Sequence, residues 1–291
     1  MNKNAVAGGS LRLRERIAKP FTLADSRLNS RATMQTEDYE HLYRLEETFW
    51  WFAGMREITA VLLDPFLPPR DRVILDAGCG TGGNLEWLTR YAGGGRVTGI
   101  DLIATALEFC QKRNHERLAQ ASATDLPFAD QSFDLVTSFD VLVQIPGPAS
   151  DQQAMREMFR VLKPGGIAFV RGAAFEWMKS GHDRALGTQR RYNLDELREK
   201  LKRAGFEVLR ETYANSLLFP IAAIRRLLLK RLGLADEGSD VKPLPKNLQW
   251  INRILMNALL WEARRLRDPN ARLSVGLSAI CIARRPNGHH E

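Results

Sequence analysis

Cysteine is scarce in this chain. Cys79, Cys110 and Cys281 are the only three in 291 residues, they share no metal-ligand spacing, and an odd, scattered set makes no disulfide framework. A disulfide-stapled scaffold and a cysteine metal site are excluded, no metal is expected, and a reducing compartment fits. Long hydrophobic runs are missing as well: no stretch of about 18 apolar residues occurs, so no membrane-spanning helix is expected. The first residues carry no apolar signal core, and a cytoplasmic location is the expectation. Also lacking are a nucleic-acid recognition module and a face of interleaved basic and aromatic residues, which disfavours RNA or DNA as a partner.

What the chain does contain is enough apolar sequence, 44% of its residues, to bury a full-sized α/β core with additions. The net charge of +8 is unevenly spread. Residues 1–72 carry 11 Lys and Arg against 10 Asp and Glu, residues 73–170 carry 8 against 11, and residues 171–291 carry 23 against 13. The basic final part is suited to an anionic metabolite or a membrane surface.

The most informative stretch is Val73 to Gly83, VILDAGCGTGG. Its first residues are apolar and β-branched, as expected of a strand covered on both faces, and Leu85 to Tyr91 reads as a helix. Gly78, Gly80 and Gly82 or Gly83 allow a tight turn whose backbone a ligand can approach closely. Gly78, Gly80 and Gly83 also satisfy the dinucleotide pattern, so an NAD-type oxidoreductase is a competing reading. Asp76 argues against it, because a carboxylate beside a pyrophosphate at low dielectric is strongly repelled, whereas an ammonium or sulfonium ligand is attracted. A second strand, Arg96 to Asp101, ends in an acid placed to accept ribose hydroxyls. Asp125, in a turn before Leu126 and Pro127, is placed to accept from an adenine amino group, and the strand after Ser132 ends in Asp140. A helix then closes at Leu162, turns on Pro164-Gly165-Gly166 and enters a fifth strand.

In this order and spacing, Asp76-Ala-Gly78-Cys-Gly80-Thr-Gly82, Asp101, Asp125-Leu-Pro and Leu162-Lys-Pro-Gly-Gly166 resemble class I S-adenosylmethionine (SAM)-dependent methyltransferases. The resemblance implies a seven-stranded, doubly wound Rossmann-like α/β sheet with SAM as cofactor. It places Asp76, Gly78, Gly80 and Gly82 beside the methionine part and Asp101 with Leu102 on the ribose. Ala123, Asp125 and Leu126 fall at the adenine, and Asp140 near the methyl group and the acceptor. Glu47 to Arg56, with Trp50-Trp51-Phe52, and Trp177 to Tyr192 resemble a bacterial group acting on small molecules, methyltransferase type 11-like, linked with glycan, lipid or natural-product pathways. The acceptor is then a small molecule, anionic or amphiphilic. A non-catalytic SAM-binding or membrane-surface protein and an RNA methyltransferase are the remaining alternatives.

The chain departs from that group in two places. An acid and a histidine expected after Leu142 are replaced by Val143 and Gln144, and a histidine expected before Arg190-Arg191-Tyr192 is replaced by Thr188 or Gln189. His182 is therefore the leading proton acceptor, or else a loop anchor paired with Asp183. Tyr192 is a candidate for orienting a substrate hydroxyl, or else a structural residue before a helix capped near Asn193. Gln144 is expected to face substrate. Trp50, Trp51 and Phe52 are core residues or, for one of them, a contact with a cation.

The expected organisation is an N-terminal arm, residues 1–33, with a short helix over 11–19, and a methyltransferase domain over 34–291. Two cap helices lie within 37–63, and a helical insertion fills 214–272 before the last strand. In that insertion Leu217 to Arg231 combines an apolar body with Arg225, Arg226, Lys230 and Arg231. It reads either as a core-packed helix with a solvated basic face or as an interfacial membrane helix.

Overall fold

A computed structural model describes residues 36–185, 187–231 and 249–287. The arm at 1–33 and the middle of the insertion lie outside the described residues. Strand β1 (Val73–Ala77) sits inside the sheet, between β2 and β4, because its apolar residues alternate between two buried faces. Leu75 and Ala77 pack into one cluster, and Ile74 joins another on the opposite side. The same period of two sorts Ala168 and Val170 from Ile167 and Phe169 in β5 (Leu162–Ala173) and Ala279 and Cys281 from Ile280 and Ile282 in β7 (Ser278–Arg284).

With β2 (Arg96–Asp101), β3 (Leu118–Gln120), β4 (Phe133–Phe139) and β6 (Glu207–Ala214), the sheet has seven strands in the order β3-β2-β1-β4-β5-β7-β6. Pairing is parallel up to β5, and β7 runs antiparallel between β5 and β6. The carboxyl ends of β1, β2, β4, β5 and β6 therefore share one edge. The chain steps outward from β1 to β2 and β3, then returns to β4 on the other side, which opens a crevice at that edge. The Pro164-Gly165-Gly166 turn lies inside β5: pairing with β4 jumps from Phe133–Leu162 to Leu135–Ile167, and the residues between bulge out.

Helices α1 (Thr36–Thr48) and α2 (Trp50–Leu63) precede the sheet, as the sequence leads one to expect. Met55, Ile58, Leu62 and Leu63 of α2 pack in one cluster with Leu259, Ala263 and Leu266. Gly54 makes the contact possible, since a Cβ there would lie 2.5 Å from Leu259 Cδ1. On the other face lie α5 (Ser150–Val161) and α7 (Leu194–Arg203), the latter capped by Asn193, whose side chain accepts from the Glu196 N–H at 2.7 Å. Helices α3 (Gly83–Leu88), α4 (Ala104–Lys112) and the short α6 (Gly181–Ala185) complete the core, and the insertion supplies α8 (Phe219–Arg231) and α9 (Gln249–Arg265). The last strand begins at Ser278 rather than Leu273; Leu273 instead donates its N–H to the Thr212 hydroxyl at 3.0 Å.

The α8 helix does not match the expectation of a core-packed helix with a solvated basic face. Arg226 is buried and donates to the Met178 carbonyl at 2.8 Å, while the large apolar side chains face outward. An arginine at that position reaches a carbonyl that no leucine would satisfy.

A crevice lined by acids at the carboxyl edge of the sheet

Three strand ends deliver carboxylates to the crevice. Asp76, at the end of β1, is buried and accepts from the Thr137 hydroxyl at 2.8 Å. Burial pushes its carboxyl up to about 7, against the opposing pull of that hydrogen bond. Asp101, at the end of β2, accepts from the N–H groups of Gly80 (2.9 Å) and Ile103 (3.0 Å) and so ties the glycine turn to the next strand. Burial raises its carboxyl as well, and the backbone donors oppose the shift. Asp140, just past β4, holds φ at +60°, an uncommon conformation for a residue with a side chain. It is paired at 2.7 Å with the buried Arg171 of β5.

The turn itself needs glycine. Gly78 (φ +97°) has no room for a Cβ, which would come within 2.3 Å of Val141 Cγ2. Gly80 (φ +55°) has nothing within 4 Å of where a Cβ would stand, so its backbone borders open space. Cys79 and Cys110 pack behind the turn with their Sγ atoms 3.8 Å apart, and the Cys110 thiol donates to the Gly80 carbonyl at 3.1 Å. Hydrogen bonding to Cys110 and burial push the Cys79 thiol up, so it stays protonated.

A residue that sequence reasoning did not single out controls the start of α3. Glu46, near the end of α1, is buried and accepts from the Thr81 hydroxyl (2.5 Å) and the Gly83 N–H (3.0 Å) through one oxygen. Arg113, which caps the end of α4, pairs with the same oxygen at 3.3 Å and donates to the Thr81 carbonyl at 3.0 Å. Arg56 donates to the Glu46 carbonyl at 3.0 Å. A dinucleotide's pyrophosphate rests on the N-terminus of the helix after the glycine turn. Here a carboxylate of the chain already holds that place, and the surrounding acids favour a cationic ligand over an anionic one.

The remaining sequence candidates are more scattered. Asp125 is exposed and its N–H bonds the Ser122 carbonyl at 3.1 Å; Ala123 beside it is half-buried. Leu126 is buried in the main core, its N–H donating to Glu157 at 2.8 Å, and Leu102 is exposed just beyond β2. Gln144 is exposed in the turn that leaves β4. His182 lies on α6, and its side chain falls outside the described residues; its neighbour Asp183 is buried in a two-pronged pair with Arg191 at 2.7 and 3.0 Å. Tyr192 is not brought to the crevice. It is fully buried and donates to Asp151 at 2.8 Å, because that acid, also paired with Arg190 (3.1 Å) and Lys200 (2.9 Å), offers a charged acceptor inside the core. Trp51 faces a cation, but one of the chain's own, with the Arg171 guanidinium 4.8 Å from its ring centre.

Fold and crevice together define a Rossmann-like core with carboxylates at the ends of neighbouring strands. Residues 75–170 match a family model described as a methyltransferase domain. A protein named as a probable SAM-dependent methyltransferase of Mycolicibacterium smegmatis is 32% identical over 56% of this chain and 62% of its own length. One of Mycobacterium ulcerans, named as a probable phthiotriol/phenolphthiotriol dimycocerosates methyltransferase, is 38% identical over 32% of this chain and 36% of its own. The chain thus spans between 36% and 62% of the length of these curated relatives. Among solved structures, a SAM-dependent methyltransferase of Thermotoga maritima shares the fold, with a TM-score of 0.52 and 18% identity over 86% of this chain and 97% of that one.

Proposed function

We propose that the chain transfers a methyl group from SAM to a small-molecule acceptor of anionic or amphiphilic character. The observation that carries this reading is the convergence of Asp76, Asp101, Asp140 and the glycine turn on one sheet edge, with Glu46 in the place a pyrophosphate would need. The acceptor class draws support from the Mycobacterium ulcerans relative, named for phthiotriol and phenolphthiotriol dimycocerosates. We assign residues 34–291 to one domain, in which the caps within 37–63 and the insertion 214–272 cover the crevice. Its location is cytoplasmic, at the periphery of a membrane.

When bound, SAM supplies an electrophilic methyl group on a sulfonium. The buried carboxyl of Asp76, with Gly78, Gly80 and Gly82, would hold the cationic methionine part, and Asp101 with Leu102 would hold the ribose. Asp125 and Ala123 would form the adenine end, with the buried Leu126 behind them. Asp140, fixed by Arg171, and Gln144 on the turn beyond it orient the acceptor, and positioning of this kind supplies much of the rate in a displacement with a good leaving group. His182 takes up a proton at an imidazole nitrogen where the acceptor must lose one. Tyr192, buried and bonded to Asp151 of α5, plays a structural part without touching the acceptor.

A thermal-shift comparison of SAM, S-adenosylhomocysteine, NAD and NADP tests the donor. Stabilisation by the first two alone is expected; stabilisation by a nicotinamide dinucleotide and not by SAM would overturn the reading. Turnover of methyl-labelled SAM with amphiphilic acceptors then separates an enzyme from a non-catalytic SAM binder.

A further inference from the structure

The α8 helix is built the wrong way round for a helix that serves only to cover a core. Its buried residues are Ala223 and Arg226, whereas Ile221, Ile224, Leu227 and Leu228 are 67, 59, 55 and 54% exposed. At 100° per residue these four fall within an arc of about 120°, with the exposed Arg225 on its flank. A contiguous apolar face of this kind on a protein surface marks an interaction site. The second insertion helix repeats the pattern: Trp250, Ile254 and Trp261 of α9 lie on one stripe, and all three are exposed. Glu262 of α9 joins the two, accepting from the N–H groups of Asn215 (2.7 Å), Ser216 (2.7 Å) and Leu217 (2.9 Å) where the chain enters α8. This junction follows directly from the end of β6, on the same edge of the sheet as the crevice.

We propose that this insertion docks the protein on an anionic lipid surface, with the apolar faces of α8 and α9 set among the headgroups and upper acyl chains. The inference rests on the peripheral location proposed above and names the surface and its partner. Charge selects the occupant. The α8 sequence holds four basic residues and no acid; among its described side chains Arg226 is buried and Arg225 is exposed beside the apolar face, and residues 171–291 carry 23 basic against 13 acidic side chains. Anionic headgroups neutralise that excess while the acyl region takes the isoleucines, leucines and tryptophans. A second copy docked through the same face would set this basic part of the chain against its own counterpart. Tryptophan suits the boundary further, since its ring is apolar and its N–H keeps a polar partner. No helix among the described residues is long and apolar enough to cross a membrane, so the contact is interfacial.

The test uses the full chain with vesicles of phosphatidylcholine alone and of phosphatidylcholine with about a third phosphatidylglycerol. The wild type is expected to co-sediment with the anionic vesicles only, and less so as salt is raised. Ile224→Glu with Leu228→Glu, and separately Trp250→Ser with Ile254→Ser, should each lower the partition coefficient by about tenfold or more. Exposed substitutions of this kind leave folding intact, so melting temperature and SAM affinity by calorimetry should match the wild type. Equal sedimentation of the variants, or none by the wild type, overturns the docking proposal. A lipid-free dimer abolished by the same substitutions overturns it in favour of a second copy, and a marked drop in their melting temperature in favour of the chain's own residues. SAM bound normally without vesicle binding would refute docking alone, while vesicle binding without SAM affinity would refute the proposed function.

Discussion

Replacing Asp76 by Asn should make the ligand-free protein more stable while weakening its hold on SAM. The carboxyl is pushed from 3.8 to about 7, chiefly by burial. The folded state therefore binds this proton more tightly than the unfolded chain does. The wild type has its full stability with respect to this group below the unfolded value of 3.8, and loses it progressively as pH rises toward 7. At 1.36 kcal/mol per unit, a shift of that size costs about 4 kcal/mol once the pH exceeds 7. Asparagine avoids the ionisation cost and keeps an oxygen for the Thr137 hydroxyl, but its new amide protons need acceptors, at a cost of about 1–3 kcal/mol. A net gain of about 1–3 kcal/mol at pH 8 follows, which is roughly 2–10 °C in melting temperature for a domain of this size. At pH 4.5 most of the wild-type penalty has gone, and the gain should vanish or reverse. Thermal melts of both proteins at pH 4.5 and 8, followed by near-UV circular dichroism, measure this. A variant that melts below the wild type at pH 8, or an advantage of the same size at both pH values, would refute the reasoning. The trade-off is the one expected where an acid is kept buried for a cationic ligand.

Tyr192→Phe should cost about 1–2 kcal/mol in urea unfolding by removing the bond to Asp151, yet leave kcat and KM within about twofold; a large fall in kcat with unchanged stability would restore a catalytic role. Gly54→Ala should destabilise by about 1–2 kcal/mol, because overpacking against Leu259 outweighs the helix propensity gained; an unchanged urea midpoint would show that α2 and α9 are less tightly apposed. Arg171→Met should leave Asp140 unpaired and lower kcat by about tenfold while changing SAM affinity much less, as calorimetry beside steady-state kinetics would reveal.

How far the sequence discloses this architecture depends on how local each signal is. β1, the glycine turn and the acids at 76, 101 and 140 are legible because strand, turn and terminal carboxylate are neighbours along the chain. Asn193 as a helix cap is legible for the same reason. Glu46 is not, since its partners Thr81 and Gly83 are distant in sequence and meet it only when α1 folds over the turn. Tyr192 stays ambiguous in the sequence because Asp151, which accepts its hydroxyl, lies 41 residues away. The orientation of α8 is not legible: its pattern of isoleucine, leucine and arginine is the same whichever face turns inward, and the burial of Arg226 depends on distant partners, the Met178 carbonyl and the charge of Asp183 among them. With Arg226 turned inward, Arg225 and the apolar side chains at 221, 224, 227 and 228 are left exposed.

The central claim is that the acidic crevice binds SAM, and calorimetric titration of SAM into the wild type and into Asp101→Asn and Asp101→Ala tests it most directly. The wild type should bind one equivalent. The alanine variant should lose at least about a hundredfold in affinity, since its ribose acceptor and its hold on the Gly80 N–H both disappear, and the asparagine variant should fall in between. Unchanged affinity in Asp101→Ala, or no SAM binding by the folded wild type, would contradict the assignment.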